Sequence, residues 1–330
     1  MNDFNTLFDT IKKNTSFVIT THMNPDGDAI GSELALARYL ISIGKQVRII
    51  NHSHTPEFLQ FMINTNDEIE VFDKASHSEV ITQADVVVVL DLNQLRRTGD
   101  LEEPIRISKA KKVCIDHHEF PENFSDIEMF DAEKSSTGEM IYDILSEAEF
   151  KIDYNIALPI YVAILTDTGS FKYDRTTPKV HRIAAELLET GIDTKSVYRE
   201  VYDQGSANRI QLLGRALSSL TLFCDGKASY MKVTRSDLAE TCTIEEDVEG
   251  FVNYNLTIKG VEVGIFFFEL EDGVKASFRS VSKVPVNKLA KEFGGGGHFY
   301  AAGVRITGEN MELTIDRMIS ETEKYISEFL

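Results

Sequence analysis

Hydrophobic positions in the first half of the chain follow two alternating rhythms. Short β-branched runs, FVITTH at 17–22, QVRII at 46–50, ADVVVVL at 84–90 and KVCI at 112–115, are separated by stretches with helical spacing. That alternation is the signature of βαβ units and a parallel sheet. ADVVVVL is so uniformly apolar that both its faces should be covered. Between the first two runs, Ile30, Leu34, Ala37 and Ile41 form the apolar stripe of a helix over 28–44, with Gly44 as its stop.

From Ser136 to Leu220 the spacing is nearly all helical. TGEMIYDILSEAEF follows a Ser/Thr cap, NIALPIYVAIL starts at Asn155, and TPKVHRIAAELLETG runs from a capping Thr177 and Pro178 to Gly191. Strand-like runs return at 227–233, 263–270 and 273–280, before a helix at 285–292, a glycine run and an amphipathic helix at 311–329. The change of pattern near 215–225 marks a domain boundary, with CDGK at 224–227 as a turn. The expected architecture is α/β: a doubly wound parallel-sheet domain at 1–195, a helical linker at 196–222 and a smaller α/β domain at 223–330, with a cleft between the domains.

The 330 residues suit about two domains of roughly 150 residues each. Lys and Arg number 34 against 53 Asp and Glu, a formal charge of −19. Such a surface repels long nucleic acid through its phosphate backbone. Cys114, Cys224 and Cys242 are odd in number and widely spaced, which suits neither a disulfide framework nor a paired-cysteine zinc site. With MNDFNTLFDTIKKN lacking a signal-like apolar run, and no run approaching the ~18 apolar residues of a membrane span, a cytoplasmic location without a membrane anchor is expected.

Ligands of an open parallel sheet bind beyond the carboxyl ends of its strands. Here those ends are crowded with acids and histidines. The first strand runs into His22, Asp26 and Asp28, ADVVVVL into Asp91, and KVCI into Asp116, His117 and His118, while Asp167 ends the helical run NIALPIYVAILT. One such Asp is ordinarily a turn former or cap. Segments converging with this many carboxylates cannot all stay ionised without counter-charge, and a metal cluster supplies it. Two divalent ions roughly 3.5–4 Å apart, sharing a carboxylate, are the recurring device for displacement at phosphorus. Oxygen-rich ligands with a minority of imidazole favour Mn2+, with Mg2+ as a substitute.

These motifs, HMNPDGDAIGS (22–32), VVVVLDLNQLRRTG (86–99), CIDHHEF (114–120) and AILTDTGSFKY (163–173), resemble in order those of the DHH phosphoesterase superfamily. FRS (278–280) with GGGGHFYAAG (294–303) is similar to the substrate-binding DHHA1 domain of the same superfamily. The resemblance spans nearly the whole chain and is strongest to the nanoRNase and pAp phosphatase branch. It implies one metal ion on His22, Asp26 and Asp91 and another on Asp28, Asp91, His117 and Asp167, with Asp91 bridging. It further implies that His118 touches the bridging water or the scissile phosphate, that Asp116 orients an adjacent histidine, and that Arg97 meets phosphate. A homodimer is the quaternary arrangement it suggests.

Residues 275–305 hold Lys275, Arg279, Lys283, Lys288, Lys291 and Arg305 against the single acid Glu292, a local charge of about +5 in an acidic chain. Lys283, Lys288 and Lys291 read as solvated surface charges. Arg279 beside Ser280 suits a phosphate or an adenine edge. Gly294 to Gly297, with Gly295, Gly296 and Gly297 next to His298, offer consecutive backbone N–H groups as an anion nest. FFFEL (266–270) reads as core.

The expected activity is two-metal hydrolysis, by in-line attack of metal-bound hydroxide, of RNA of 2–5 nucleotides to mononucleotides and of 3′-phosphoadenosine 5′-phosphate (pAp) to AMP and phosphate. Short RNA oligonucleotides and adenine nucleotides are then the partners, to the exclusion of long nucleic acid. A cyclic di-AMP or pApA phosphodiesterase uses the same ligands, and a catalytically silent nucleotide sensor is the alternative from another class.

Overall fold

The computed structural model describes residues 4–118, 121–281, 283–297 and 299–329. Its chain divides between Gln204 and Gly205 into two compact units.

The first unit contains α1 (Phe4–Lys13), β1 (Ser16–Thr20), α2 (Gly27–Ser42), β2 (Gln46–Asn51), β3 (Ile69–Val71), α3 (Lys74–Gln83), β4 (Val86–Leu90), α4 (Glu102–Ile107), β5 (Lys111–Asp116), β6 (Ile127–Phe130), α5 (Thr137–Glu147), α6 (Tyr154–Asp167), α7 (Pro178–Leu188) and α8 (Thr194–Tyr202). Its six strands run in the order β3-β2-β1-β4-β5-β6, and every pairing is parallel. The order reverses between β1 and β4, which opens a crevice outside the carboxyl ends of these two strands. Both faces of β4 are covered, as its sequence requires: Val86, Val88 and Leu90 enter one core, Val87 and Val89 the other.

The helix expected at 28–44 starts at Gly27, because Asp26 accepts the N–H groups of Asp28 and Ala29 and so caps it. α2 lies tightly on α6: a Cβ on Gly31 would stand 2.4 Å from the Pro159 carbonyl oxygen. α6 starts one residue before Asn155 and is capped by Asp153. Pro159 lacks the N–H that would have bonded the carbonyl four residues back. Arg38 of α2 fills that gap, donating from Nη1 to the Asn155 oxygen at 2.6 Å.

The second unit contains α9 (Ala207–Ser218), β7 (Thr221–Phe223), β8 (Ala228–Val233), α10 (Arg235–Thr241), β9 (Val263–Glu269), β10 (Gly273–Ser280), α11 (Val286–Glu292), β11 (Gly296–Gly297), β12 (Ala301–Thr307) and α12 (Met311–Ile326). α9 lies inside the segment expected as a linker, yet its Leu212, Leu213 and Ala216 pack into this unit's core. The strand order is β11-β12-β10-β9-β8-β7, antiparallel except where β8 meets β9. FFFEL is core on two sides: Phe267 joins the layer of α11 and α12, and Phe266 and Phe268 join that of α9. Among the described residues no helix is long and apolar enough to cross a membrane.

Candidate metal centre

The ends of β1, β4 and β5 all deliver donor atoms to the crevice. His22 follows β1 by two residues, Asp91 follows β4 directly, and β5 ends on Asp116 before His117 and His118. Two helices add carboxylates with opposite polarity. Asp26 and Asp28 sit at the start of α2, and Asp167 is the last residue of α6.

Donor atoms of His22, Asp26 and Asp91 lie within 4.8 Å of one another, as do those of Asp28, His117 and Asp167 and those of Asp91, His117 and His118. Asp91 stands between the first two groups. Its Oδ2 is 3.5 Å from His22 Nε2, and its Oδ1 is 3.6 Å from His117 Nε2. Its φ of 58° is left-handed, a conformation that Asp tolerates better than most residues and that turns the chain sharply at the strand end.

The imidazoles are oriented from behind. His22 Nδ1 lies 2.9 Å from the Met23 carbonyl oxygen and His117 Nδ1 3.4 Å from that of Lys134. With Nδ1 facing each carbonyl, Nε2 is turned toward the acids, where it can ligate a cation once its own proton is displaced. For His117 these acids include Asp167 at 3.3 Å and Asp28 at 3.7 Å. Asp28 is itself held at the N-terminus of α5, accepting from the N–H groups of Thr137 at 2.7 Å and Gly138 at 2.8 Å, where the helix dipole favours an anion. His118 turns differently: its Nδ1 is 2.7 Å from Oδ1 of the buried Asp116. Arg97 is half-buried, and its carbonyl oxygen accepts from the Met23 N–H at 2.7 Å, which ties its segment to the His22 loop.

Charge is visibly over-concentrated here. Burial and the neighbouring Asp91 push the carboxyls of Asp26 and Asp28 above the usual range, and burial takes Asp167 up to about 7. Burial also works against the Asp91 carboxylate, but His117 and His22 outweigh it and hold the group far below the ordinary value. Against the effect of its own burial, His117 is lifted by Asp91, Asp28 and Asp167 to about 10. A cluster that must recruit protons to balance its acids is chemically suited to divalent cations, which replace those protons. The donor set, carboxylates with a minority of imidazole, fits hard or borderline ions.

Glu33 escaped the sequence reading. It lies on the α2 stripe of Ile30, Leu34 and Ala37, and an acid on an apolar stripe was the available signal. Fully buried, it accepts from Asn51 Nδ2 at 2.8 Å, and Asn51 Oδ1 accepts from the Thr21 N–H and the Thr20 hydroxyl just ahead of His22. Burial pushes the Glu33 carboxyl up to about 8. An acid raised on folding holds more protons in the native than in the unfolded state above the unfolded value. Its penalty is therefore absent at low pH and grows as pH rises toward 8. In chelator-treated protein, denaturant titrations of Glu33→Gln and wild type should diverge between pH 5 and pH 8 by on the order of 3 kcal/mol in favour of glutamine. Parallel pH profiles would refute the raised carboxyl.

In the second unit, Arg279 Nη1 donates to the Phe278 carbonyl oxygen at 3.0 Å, and the Ser280 hydroxyl is buried against the Val284 oxygen at 2.8 Å. The nest expected over 294–297 loses two of its amides. Gly294 N–H donates to Lys291 O and Gly295 N–H to Ala290 O, closing the end of α11. Gly295 and Gly297 also serve packing, since a Cβ on either would stand 2.3 or 2.5 Å from a carbonyl oxygen of the 301–303 segment. His298 lies outside the described residues.

A profile of the DHH family, N-terminal domain, matches residues 16–164, and the DHHA1 domain matches residues 232–328. The chain belongs to the DHH family. It is 30% identical over 309 residues to the bifunctional oligoribonuclease and PAP phosphatase NrnA of Thermus thermophilus, covering 94% of this chain and 90% of that one. The protein of the same name from Bacillus subtilis is 28% identical over 325 residues, 98% of each chain. The crystal structure of an exopolyphosphatase-related protein from Bacteroides fragilis superposes with a TM-score of 0.93 at 35% identity, covering 98% of this chain and 96% of that one.

Proposed function

We propose that this protein is a metal-dependent phosphoesterase of the cytoplasm that hydrolyses very short RNA to mononucleotides and pAp to AMP and phosphate. The observation that carries the reading is Asp91, whose two carboxylate oxygens face different donor groups. His22, Asp26 and Asp91 would hold one cation and Asp28, Asp91, His117 and Asp167 the other, Mn2+ in preference to Mg2+. When bound, such a pair stabilises charge on phosphoryl oxygens and brings the pKa of water toward neutrality.

The chain's own groups do the rest. His118, oriented by Asp116, returns a proton to the departing ribose oxygen or steadies the scissile phosphate. Arg97 meets a phosphate oxygen with its planar fork of donors. Arg279, Gly296, Gly297 and His298 belong to the substrate side, in a stretch whose basic charge contrasts with the rest of the chain, whereas the buried Ser280 hydroxyl is committed to the Val284 oxygen and is not part of it. Few phosphates can be gripped without a longer basic track, so activity should fall as the RNA lengthens.

The test is Mn2+-dependent turnover of pAp, a two-residue RNA, a long RNA, pApA, cyclic di-AMP and pyrophosphate at equal concentration. AMP from pAp and mononucleotides from the short RNA, with little action on the long one, is the expected pattern. Preference for cyclic di-AMP would move the reading to second-messenger breakdown. Turnover of none would leave a nucleotide sensor.

A further inference from the structure

The basic stretch of the second unit contains two large rings that its core does not take. Phe299 and Tyr300 are 43% and 50% exposed, whereas Ala302 and Val304 just beyond them are buried. Their ring centroids lie 4.7 Å apart with planes at 65°. The segment that carries them is pinned on both sides. The Phe299 carbonyl oxygen accepts from the Val286 N–H at 2.9 Å, and that of Tyr300 from the Ser280 N–H at 3.0 Å. The rings meet edge to face and so make a corner, half-exposed to solvent on a pinned backbone, at a cost in exposed apolar surface that folding did not remove.

Charge nearby is uneven. At the ends of the basic stretch, Lys275 is paired with Glu245 at 3.6 Å and Arg305 with Asp272 at 2.9 Å. Nearer the rings in sequence, Lys283, Lys288 and Lys291 are exposed, and none of the ion pairs among the described residues uses them. Val286, whose N–H bonds the Phe299 oxygen, opens α11, so Lys283 and Lys288 flank the point where that segment joins the ring-bearing one. Aromatic rings and unneutralised cations on joined segments, in a chain of net charge −19, match a ligand that is both flat and anionic.

We propose that Phe299 and Tyr300 form a stacking shelf for a nucleobase of the substrate. The inference rests on the short-nucleotide reading above and adds the group that is gripped. Stacking uses the π-face that every base has, so the shelf holds a base without reading its identity.

The experiment uses the full chain with Mn2+, comparing wild type, the double variant Phe299→Ala/Tyr300→Ala, and Tyr300→Phe. Substrates are a dinucleotide and its abasic counterpart, and binding is read separately from 2-aminopurine fluorescence in a labelled dinucleotide. The double variant should raise KM for the dinucleotide about 10-fold or more. It should also abolish the fluorescence quenching seen with wild type, and weaken the abasic substrate no further, while Tyr300→Phe retains quenching. Unaltered KM and quenching in the double variant would overturn the shelf. So would an equal KM increase on the abasic substrate, or unaltered KM with an altered oligomeric state, which would assign the rings to a protein contact. Quenching without turnover in wild type would keep the shelf and remove the phosphoesterase reading.

Discussion

Asp91→Asn should lower kcat/KM by at least about 1,000-fold, a loss of roughly 4 kcal/mol of transition-state stabilisation, while the chain stays folded. Asparagine tolerates the left-handed φ of 58°, so the turn after β4 survives. Its carbonyl oxygen can still accept from the Thr137 hydroxyl, which lies 3.1 Å from Asp91 Oδ1. What disappears is the charge and one of two oxygen donors, and because those oxygens face His22 and His117 separately, one substitution damages both donor groups. Turnover at saturating Mn2+, with far-UV circular dichroism as the folding control, checks this. Activity within tenfold of wild type would eliminate the shared-carboxylate assignment.

Exhaustive chelation should reduce turnover by a comparable factor, and Mn2+ should restore it. Because a cation binds the folded site, adding it at about 100 times its dissociation constant should also stabilise the protein by about 2.7 kcal/mol, readable in thermal unfolding without any substrate. The pH dependence has a definite sign. Asp167 is pushed up to about 7 and His117 to about 10, so both carry protons near neutrality that a cation must displace. Binding then releases protons and weakens as pH falls, by about tenfold or more from pH 8 to pH 6. Titration calorimetry in buffers of different ionisation enthalpy measures the release directly. Turnover that survives chelation, or pH-independent binding, would refute the assignment.

Much of the site was legible because a doubly wound sheet converts chain order into position. Whatever follows a strand at the reversal point stands in the crevice, so His22, Asp91 and Asp116 could be read from apolar runs ending in polar residues. β3 and β6 were not legible. At three and four residues, each with a glutamate in the middle, they carry too little period to register. Glu33 was hidden by its company, a polar residue whose partner Asn51 comes from the end of another strand. The glycine run was misread in part because glycine has two uses. Its N–H groups can bind an anion, yet here Gly294 and Gly295 close a helix, and Gly295 and Gly297 admit a strand at short range. Composition does not distinguish these uses, since the partners lie in the 301–303 segment and in α11.

The strand order also dictates when during synthesis the metal centre can exist. β1 emerges early but lies in the middle of the sheet, and Thr21 reaches its partner Leu90 only 69 residues later. Asp28 waits 109 residues for the Thr137 amide, and Asp167 comes later still. A nascent chain therefore lacks the group of Asp28, His117 and Asp167 until α6 has left the ribosome. Completion of the second donor group is thus a late event, and translation that stops before α6 yields a polypeptide with the His22, Asp26 and Asp91 group but without Asp167.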